Sequence, residues 1–194
     1  MPENGPIRDK GAGEGPALAI VITGPVGAGK TTTAGALADL LERVRIPHAM
    51  IDMDHLRWAW PAPPDDRFNA RLGYRNLAAV AGAYREAGVR VLVLADVVEH
   101  PEDRARYEAA IPGARVVIVR LRVPLELIAA RLHGRDAGEQ LAWSLNRAPE
   151  LEGILDAGGI GTGSGDLIVE VGTRGPAAVA TEIAARLGLV GVSS

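Results

Sequence analysis

The sequence predicts an α/β fold of three layers, in which helices cover both faces of a five-stranded parallel sheet. Short apolar runs alternate with helical patterns along the chain, and this alternation is typical of a parallel sheet covered by helices. With 194 residues and 47% hydrophobic side chains, a single domain with one core is expected. The predicted strands are Leu18–Thr23, Ala49–Met53, Val89–Ala95, Val116–Leu121 and Asp166–Val171.

Between the predicted strands, apolar residues recur at helical spacing and mark three helix faces, the second less regular than the others. Residues 1–16 combine glycine, proline and charge with little to bury, so they are predicted to be a disordered tail before one domain at 17–194. Residues 158–165, GGIGTGSG, are predicted to form a flexible loop. The three faces are Leu37, Leu40, Leu41 and Val44; Leu72, Leu77, Val80 and Tyr84; and Val179, Ile183 and Leu187.

Composition excludes several classes of site. The chain has no cysteine, so disulfides, thiolate metal sites and cysteine nucleophiles are ruled out. A net charge of −3 with dispersed arginines does not indicate binding to nucleic acid or a membrane surface. No apolar stretch reaches the length of a membrane span and the N-terminus lacks an apolar signal core, so a cytoplasmic protein is expected. The four histidines lack metal-binding spacing, so no zinc site is expected.

The most informative motif is GPVGAGKT at residues 24–31, which fits G-x-x-x-x-G-K-[ST] between a predicted strand and a predicted helix. Glycines let backbone N–H groups turn toward phosphate oxygens, and the helix presents its positive end. Lys30 is expected to reach the outer phosphates, and Thr31 to bind Mg²⁺. The chain has two lysines against nineteen arginines, so a lysine here is notable. The motif predicts a nucleotide triphosphate ligand contacted by Gly24, Pro25, Val26, Gly27, Ala28, Gly29, Lys30, Thr31 and Thr32.

A pair of carboxylates, Asp52 and Asp54, follows at the end of the second predicted strand. Ligands bind at this edge of open α/β sheets, and residues two apart on a strand share a face. Asp52 is expected to hold Mg²⁺ through water, and Asp54 to accept the proton of an attacking hydroxyl. The alternative is an Asx turn that caps the next helix. Asp96, at the end of the third predicted strand, competes with Asp52 for the metal-side role.

The phosphate loop followed by D-x-D-x-x-R resembles the small-molecule P-loop kinases of the adenylate kinase-like group, especially adenylylsulfate and shikimate kinases. The resemblance runs from Ala17 onward and implies a P-loop NTPase fold with ATP and Mg²⁺ as cofactors. In those families the motif handles metal, substrate and acceptor hydroxyl, and its arginine binds an anionic substrate, which implies Arg57. The segment WAWPAPPDDRFNARLGY lacks the adenylylsulfate kinase signature, and VVEHP lacks the glycine triplet of shikimate kinases. The resemblance therefore implies the reaction class and leaves the acceptor open.

Residues 124–150 resemble the lid of these kinases, in which arginines cover the nucleotide. Arg131 and Arg135 share one helical face. By resemblance, Arg131 would stack on or flank adenine and Arg135 would neutralise charge on the transferred phosphoryl group. Gly134 and Gly138 bracket Arg135 and predict hinge freedom. The alternative is two solvated surface arginines. In related kinases the turn after the fifth strand lines the adenine pocket, although capping and turn chemistry explain the same residues, here Gly172, Thr173 and Arg174.

The acceptor region is less clearly encoded. Arg67, Arg71 and Arg75 recur every four residues and would suit an anionic acceptor. The alternative is a solvated helix face whose N-terminus is stabilised by Asp65 and Asp66.

Two tryptophans, Trp58 and Trp60, directly follow the D-x-D motif and would either wall an acceptor pocket or pack in the core. Glu99, His100 and Asp103 are expected to be loop and helix-start residues.

These observations predict an ATP-dependent kinase that transfers the γ-phosphoryl group to a hydroxyl of a small molecule. A nucleotide kinase is one alternative, but a phosphate acceptor needs cationic clamps more than a base. An NTP-hydrolysing regulatory module is another, although no switch segment is identifiable. The residues expected to act in catalysis are Lys30, Asp54 and Arg135, and those expected to bind the acceptor are Asp54, Arg57, Trp58, Arg71 and Arg75.

Overall fold

A computed structural model describes residues 18–191, and its centre is a parallel sheet. The strands are β1 (Leu18–Thr23), β2 (His48–Asp52), β3 (Val91–Ala95), β4 (Arg115–Arg122) and β5 (Leu167–Glu170). They lie in the order β2-β3-β1-β4-β5, and each neighbouring pair is parallel. The helices of the described chain are α1 (Lys30–Arg43), α2 (Met53–Leu56), α3 (Ala70–Glu86), α4 (Asp103–Ala110), α5 (Leu125–Arg135), α6 (Gly138–Ala157) and α7 (Pro176–Arg186).

Helices cover both faces of the sheet, which confirms the predicted three-layer α/β/α fold. The central strands β1 and β3 are buried along their whole length, as their unbroken apolar sequences LAIVIT and VLVLA require. One face packs against α1, α5 and α7, and the other against α3 and α4. Leu37 and Leu41 of α1, Leu77 of α3 and Ile183 of α7 are fully buried, so the predicted helix faces point to the core. Val44, assigned to the first face, is instead 42% exposed, because α1 ends at Arg43.

Strand ends differ from the prediction by one or two residues. β2 ends at Asp52, because the Asp52 side chain caps the short helix that follows. β3 begins at Val91, because the amide of Val89 donates to the carbonyl of Tyr84 in the turn after α3. Both changes arise from local turn and cap hydrogen bonds, which compete with the sheet ladder at a strand end.

The glycine-rich segment 158–165 is a loop, as predicted, but it is packed against the protein. Ile160 is 2% exposed in the core. Gly161 has φ of +87°, and a Cβ there would lie 3.0 Å from both the Arg120 Cβ and the Leu167 carbonyl oxygen. Glycine is therefore required at this position by close approach as well as by backbone conformation.

A buried ion pair ties α6 to the sheet beside this loop. Arg120 of β4 is 1% exposed, and its Nη2 lies 2.8 Å from both Glu152 Oε1 and Asp156 Oδ1 of α6. Removing either carboxylate would leave a charge poorly compensated in the interior. The C-terminal half of α6 is thus fixed on β4.

The predicted tail at 1–16 lies outside the described residues. Across residues 18–191, every helix is too short or too polar to cross a bilayer.

Candidate active site

A cavity of about 690 Å³ is lined by residues that follow β1, β2 and β3, together with residues of α3, α5 and α6. Its volume is in the range typical of small-ligand sites. The location agrees with the rule that open α/β sheets bind ligands beyond the carboxyl ends of their strands. The cavity therefore unites the glycine loop and the D-x-D segment in one site.

The glycine loop occupies residues 24–29 between β1 and α1. Gly29 precedes α1 with φ of +91°, and no side chain of the described residues caps this helix, nor is there an acidic residue in its first turn. Gly27 has φ of +83°, and a Cβ there would lie 3.1 Å from side-chain atoms of Ile128 and Leu132 in α5. The loop is thus held against α5 with the positive end of α1 left open, which favours an anion.

Lys30 is partly buried at the first position of α1. Its Nζ donates hydrogen bonds to the carbonyl oxygens of Gly24 at 3.0 Å and Pro25 at 3.1 Å. Burial lowers the pKa of Lys30, whereas the nearby carboxylates of Asp54, Asp96 and Asp52 oppose this effect. A polyanion in the loop would favour the charged ammonium in the same way.

Asp52 lies beside the loop and has two distinct contacts. Its Oδ2 accepts a hydrogen bond from Thr31 Oγ1 at 2.9 Å, and its Oδ1 accepts one from the Asp54 amide at 3.0 Å. The second contact is the capping interaction considered as the alternative in the sequence. The first places two oxygen ligands suited to Mg²⁺ next to each other.

Asp54 lies in the first turn of α2 rather than on β2, so the expectation that both aspartates share a strand face is wrong. The side chain of Asp54 is 84% exposed and lines the cavity. Its Oδ1 is 3.6 Å from Arg57 Nε. The structure thus brings Lys30, Asp54 and Arg57 to one cavity by way of the helical turn.

Asp96, which competes with Asp52 for the metal-side role, is hydrogen-bonded within the protein. Its side chain is 2% exposed, Oδ1 accepts hydrogen bonds from Arg57 Nη2 and from the Val97 amide at 2.7 Å, and Oδ2 accepts one from the Tyr107 hydroxyl at 2.6 Å. Burial raises the pKa of Asp96, while Arg57 and Tyr107 act against this. Since both carboxylate oxygens are already engaged, Asp96 serves to hold Arg57 toward Asp54.

Replacement of Tyr107 by phenylalanine tests this network. We expect Tyr107→Phe to lower the free energy of unfolding by about 1–3 kcal/mol, because the buried Asp96 Oδ2 loses its donor. Urea unfolding measures the change. Tyr84→Phe is the matched control, since the Tyr84 hydroxyl has no hydrogen-bond partner within residues 18–191. Equal stability of the two variants would contradict the proposed role of the hydroxyl.

The predicted adenine end forms a separate group of contacts. Arg131 donates to the carbonyl oxygens of Ala28 at 3.4 Å and Gly172 at 3.3 Å, so it links the glycine loop to the turn after β5. Arg174 contacts the Glu182 carboxylate at 2.6 Å and the carbonyl of Glu170. Arg131 therefore lies between the glycine loop and the turn that was expected to line the adenine pocket, whereas the guanidinium of Arg174 is engaged by its own turn and by α7.

The predicted lid segment consists of α5 and α6. Arg135 at the end of α5 lines the cavity and pairs with Asp136, its Nε 2.7 Å from Oδ1. Hydrogen bonds from Arg135 and then Ser144 lower the pKa of Asp136 to about 2. Gly134 lies within α5, and only Gly138, with φ of +56°, lies at the helix break. The backbone therefore does not support a hinge formed by both glycines.

Three of the predicted acceptor residues lie outside the cavity. Trp58 is 84% exposed on the surface of the segment between α2 and α3. Arg71 and Arg75 face a second groove between α3 and α4. Successive helical residues are rotated by about 100°, so the α3 face that presents Ala70 and Tyr74 to the cavity turns these arginines away.

Asp65 and Asp66 make their contacts at the N-terminus of α3. Asp66 accepts hydrogen bonds from the amides of Ala70 at 2.8 Å and Arg71 at 3.0 Å. Asp65 pairs with the Arg71 guanidinium at 2.8 and 2.9 Å. This arrangement is the solvated helix face considered as the alternative to an anion-binding stripe.

Several cavity residues have no counterpart among the sequence candidates. Ligands bind beyond the carboxyl ends of the strands in open α/β sheets, and this rule would have indicated the cavity residues between Val97 and Asp103, which follow β3. Those on α6 carry no sequence signal, because only tertiary packing brings that helix to the site. The additional lining residues include Phe68, Tyr74, Glu99, His100, Asp103, Arg106, Gln140, Trp143 and Arg147.

An open helix end, a lysine at its first position and a threonine beside an aspartate define a P-loop nucleotide-binding site on a parallel sheet. The chain belongs to the AAA domain family, whose model matches residues 20–152. It is 36% identical over 118 residues to adenylyl-sulfate kinase of Chloroflexus aurantiacus (strain ATCC 29364 / DSM 637 / Y-400-fl). That alignment covers 59% of this chain, and the chain spans only 60% of the length of this curated relative.

Solved structures share the fold at lower identity. The tunicamycin resistance protein of Deinococcus radiodurans has a TM-score of 0.59 at 24% identity, covering 90% of this chain and 97% of its own. A gluconokinase from Sinorhizobium meliloti 1021 has a TM-score of 0.56 at 21% identity, with 91% and 94% covered. Shikimate kinase from Acinetobacter baumannii, in complex with shikimate, has a TM-score of 0.55 at 20% identity, with 92% and 97% covered. The resemblance to P-loop small-molecule kinases is thereby confirmed.

Proposed function

We propose that this chain is an ATP-dependent phosphotransferase that moves the γ-phosphoryl group to a hydroxyl of a small molecule. The observation that carries the proposal is that one cavity holds both the partly buried Lys30 of the phosphate loop and the exposed carboxylate of Asp54. A phosphate site alone would suit many nucleotide-binding proteins. An exposed carboxylate facing the same space adds a group that can accept a proton from an attacking hydroxyl.

The donor half of the site suits Mg-ATP. The open N-terminus of α1 and the Lys30 ammonium bind phosphate oxygens. Thr31 and Asp52 are the residues that would hold Mg²⁺, whose charge would neutralise the phosphates. Residues 18–191 contain no cluster of three metal-ligating side chains. Mg²⁺ in such sites commonly uses one or two protein ligands, substrate phosphates and water, so this pair fits it.

The acceptor side begins at Asp54. Arg57 lies beside it and is fixed from behind by the buried Asp96. This arrangement keeps a cation next to the reacting hydroxyl without requiring the substrate to order it, which lowers the cost of positioning. Arg135 enters the same cavity from α5, where it would face the transferred group.

Two lid arginines should give different kinetic defects. Arg135→Ala is expected to lower kcat more than it raises the KM for ATP, because charge on the transferred group grows during the reaction. Arg131→Ala should mainly raise the KM for ATP, because it bridges the loop and the turn after β5 before chemistry begins. Steady-state kinetics of each variant separates these effects. If both variants have wild-type kinetics, Arg131 and Arg135 are solvated surface arginines with no part in the reaction.

The relatives carry names that support the reaction class and differ in the acceptor. Those names refer to adenylyl sulfate, gluconate and shikimate. ADP release should therefore be measured with ATP alone, with each of these compounds and with a mixture of hydroxyl metabolites. A kinase releases ADP slowly alone and faster with its acceptor, since water must be excluded from the donor. A rate that no acceptor changes would favour a regulatory NTP-hydrolysing module instead.

A further inference from the structure

The acceptor half of the cavity contains three arginines, each of which already has a carboxylate partner within the protein. Arg57 contacts the buried Asp96. Arg106 Nη1 lies 3.2 Å from Asp103 Oδ1. The third, Arg147, lies between Glu99 and Glu150, at 2.5 Å from the first and 2.9 Å from the second.

This pairing bears on the charge of the acceptor. An anionic substrate would have to displace one of these carboxylates or share its arginine, and the displaced carboxylate would remain in the cavity as an uncompensated charge. Lys30 and Arg135 are the other lysine and arginine side chains of the cavity, and the proposed function assigns them to the nucleotide phosphates and the transferred group. Arg135 also has a carboxylate partner, Asp136, but that carboxylate does not line the cavity, unlike Asp96, Asp103 and Glu99. The acceptor half thus offers no arginine free of a carboxylate partner among its described residues.

The same half presents an aromatic surface in a chain that has few aromatic residues. Three of the seven aromatic side chains line the cavity, namely Phe68, Tyr74 and Trp143. Phe68 is the only phenylalanine of the chain and is 55% exposed, and Trp143 is 45% exposed. A ligand with a flat apolar group that covers exposed aromatic side chains in a cavity binds more tightly, because both apolar surfaces are removed from water.

Polar groups suited to hydroxyls lie among these rings. His100 is exposed at the cavity, and its imidazole has no hydrogen-bond partner within residues 18–191. Gln140 offers an amide, whose Nε2 contacts Ser144 Oγ at 3.3 Å. Neutral donors and acceptors of this kind fix the orientation of an uncharged ligand.

We propose that the phosphoryl acceptor is an uncharged, hydroxyl-bearing molecule with a flat apolar or ring face that covers Phe68, Tyr74 and Trp143. Carboxylates, sulfates and phosphates are disfavoured. The inference rests on the proposed phosphotransferase function. In the reaction the acceptor oxygen bonds to the γ-phosphorus, the bond from that phosphorus to the ADP oxygen breaks, and Asp54 takes the hydroxyl proton. The products are a phosphate ester and ADP.

Pairs of acceptors that share a framework and differ in charge test this inference. The full chain with saturating Mg-ATP is supplied with methyl shikimate or shikimate, with phenyl glucuronide methyl ester or phenyl glucuronide, and with adenosine or adenosine 5′-monophosphate. We expect the neutral member of the preferred pair to have a kcat/KM for ADP release at least about tenfold above that of its anionic partner. Adenylyl sulfate and gluconate are assayed alongside.

The possible outcomes distinguish failure of the uncharged-acceptor inference from failure of the proposed phosphotransferase function. Faster ADP release with the anionic members, or with adenylyl sulfate or gluconate, overturns the uncharged acceptor and leaves the kinase intact. Release that no compound accelerates overturns the proposed function, and the inference with it.

Aromatic contact is tested by Phe68→Ala and Trp143→Ala. Each should raise the KM for the neutral acceptor by about tenfold while the KM for ATP is unchanged, since the stacking surface is on the acceptor side. Val44→Ala, which trims an exposed apolar residue at the far end of α1, is the control. An unaltered acceptor KM in both aromatic variants would contradict the contact.

Charge pairing is tested by Asp103→Asn, which leaves Arg106 without its carboxylate. Selectivity should shift toward the anionic member of each pair. Asp65→Asn removes a carboxylate from Arg71 outside the cavity and is the matched control. Glu99→Gln provides a second test through Arg147 if Asp103→Asn does not fold. Unchanged selectivity in the folded variants would overturn the argument from pairing.

Discussion

Lys30→Ala should reduce phosphoryl transfer by about 10²- to 10³-fold or more and weaken nucleotide binding, as expected for loss of a preorganised cation at developing charge. Lys30 is partly buried at the open end of α1, and its ammonium is held by two loop carbonyls. An alanine leaves the backbone amides in place but removes the point charge. ADP release and binding of a non-hydrolysable ATP analogue measure the two effects.

Arg43→Ala is the control, because it removes an exposed cation from the last turn of the same helix. A folded Lys30→Ala protein with undiminished ATP turnover would falsify the assignment. Circular dichroism of both variants confirms that the comparison concerns folded proteins.

Asp54→Asn should keep the affinity for ATP and lower kcat with the acceptor by about 10²- to 10⁴-fold, the usual range for a lost general base. The side chain is exposed in the cavity and anchors no element of the fold, so the amide preserves shape while removing basicity. Single-turnover measurements at saturating ATP isolate the chemical step.

The contrasting variant is Asp52→Asn, in which the side chain contacts Thr31 and caps α2. We expect this variant to change the Mg²⁺ dependence more than the chemical step. If Asp52→Asn instead loses the chemical step and Asp54→Asn is nearly silent, the two roles are exchanged.

The fold and the glycine loop between β1 and α1 could be predicted because their signals are local. Leu18–Thr23 and Val91–Ala95 are continuous apolar runs, and only central strands bury both faces in this way. The glycine loop needs eight consecutive residues, which contain all the groups that turn amides toward an anion. Neither inference depends on which distant segments meet.

The acceptor side could not be predicted because its contacts are distant in sequence. Arg147 and Glu99 are 48 residues apart and meet only because α6 packs beside the segment after β3. Trp58 follows the D-x-D motif directly, yet the chain between α2 and α3 leaves it on the surface. The rotation of α3 about its axis determines whether Arg71 and Arg75 face the cavity. An error of one residue in that rotation turns a side chain by about 100°.

Asp96 shows a further limit of prediction from sequence. Its position at the end of β3 predicted a metal-side role through water, in competition with Asp52, but position along a strand does not reveal whether a carboxylate is already hydrogen-bonded within the protein. Tyr107 and Arg57 approach it from two other elements and occupy both oxygens. Counting the available donors requires the tertiary structure.

The division of the cavity has a consequence for how relatives of this chain diverge. The groups proposed to face the nucleotide come largely from one short loop, whereas those proposed to face the acceptor are spread over the segment after β2 and over α3, α4 and α6. Selection for a new acceptor therefore acts on helix-surface positions that the nucleotide loop does not use. We expect lineages with this architecture to exchange substrates by a few such replacements while inheriting the phosphoryl-donor machinery unchanged.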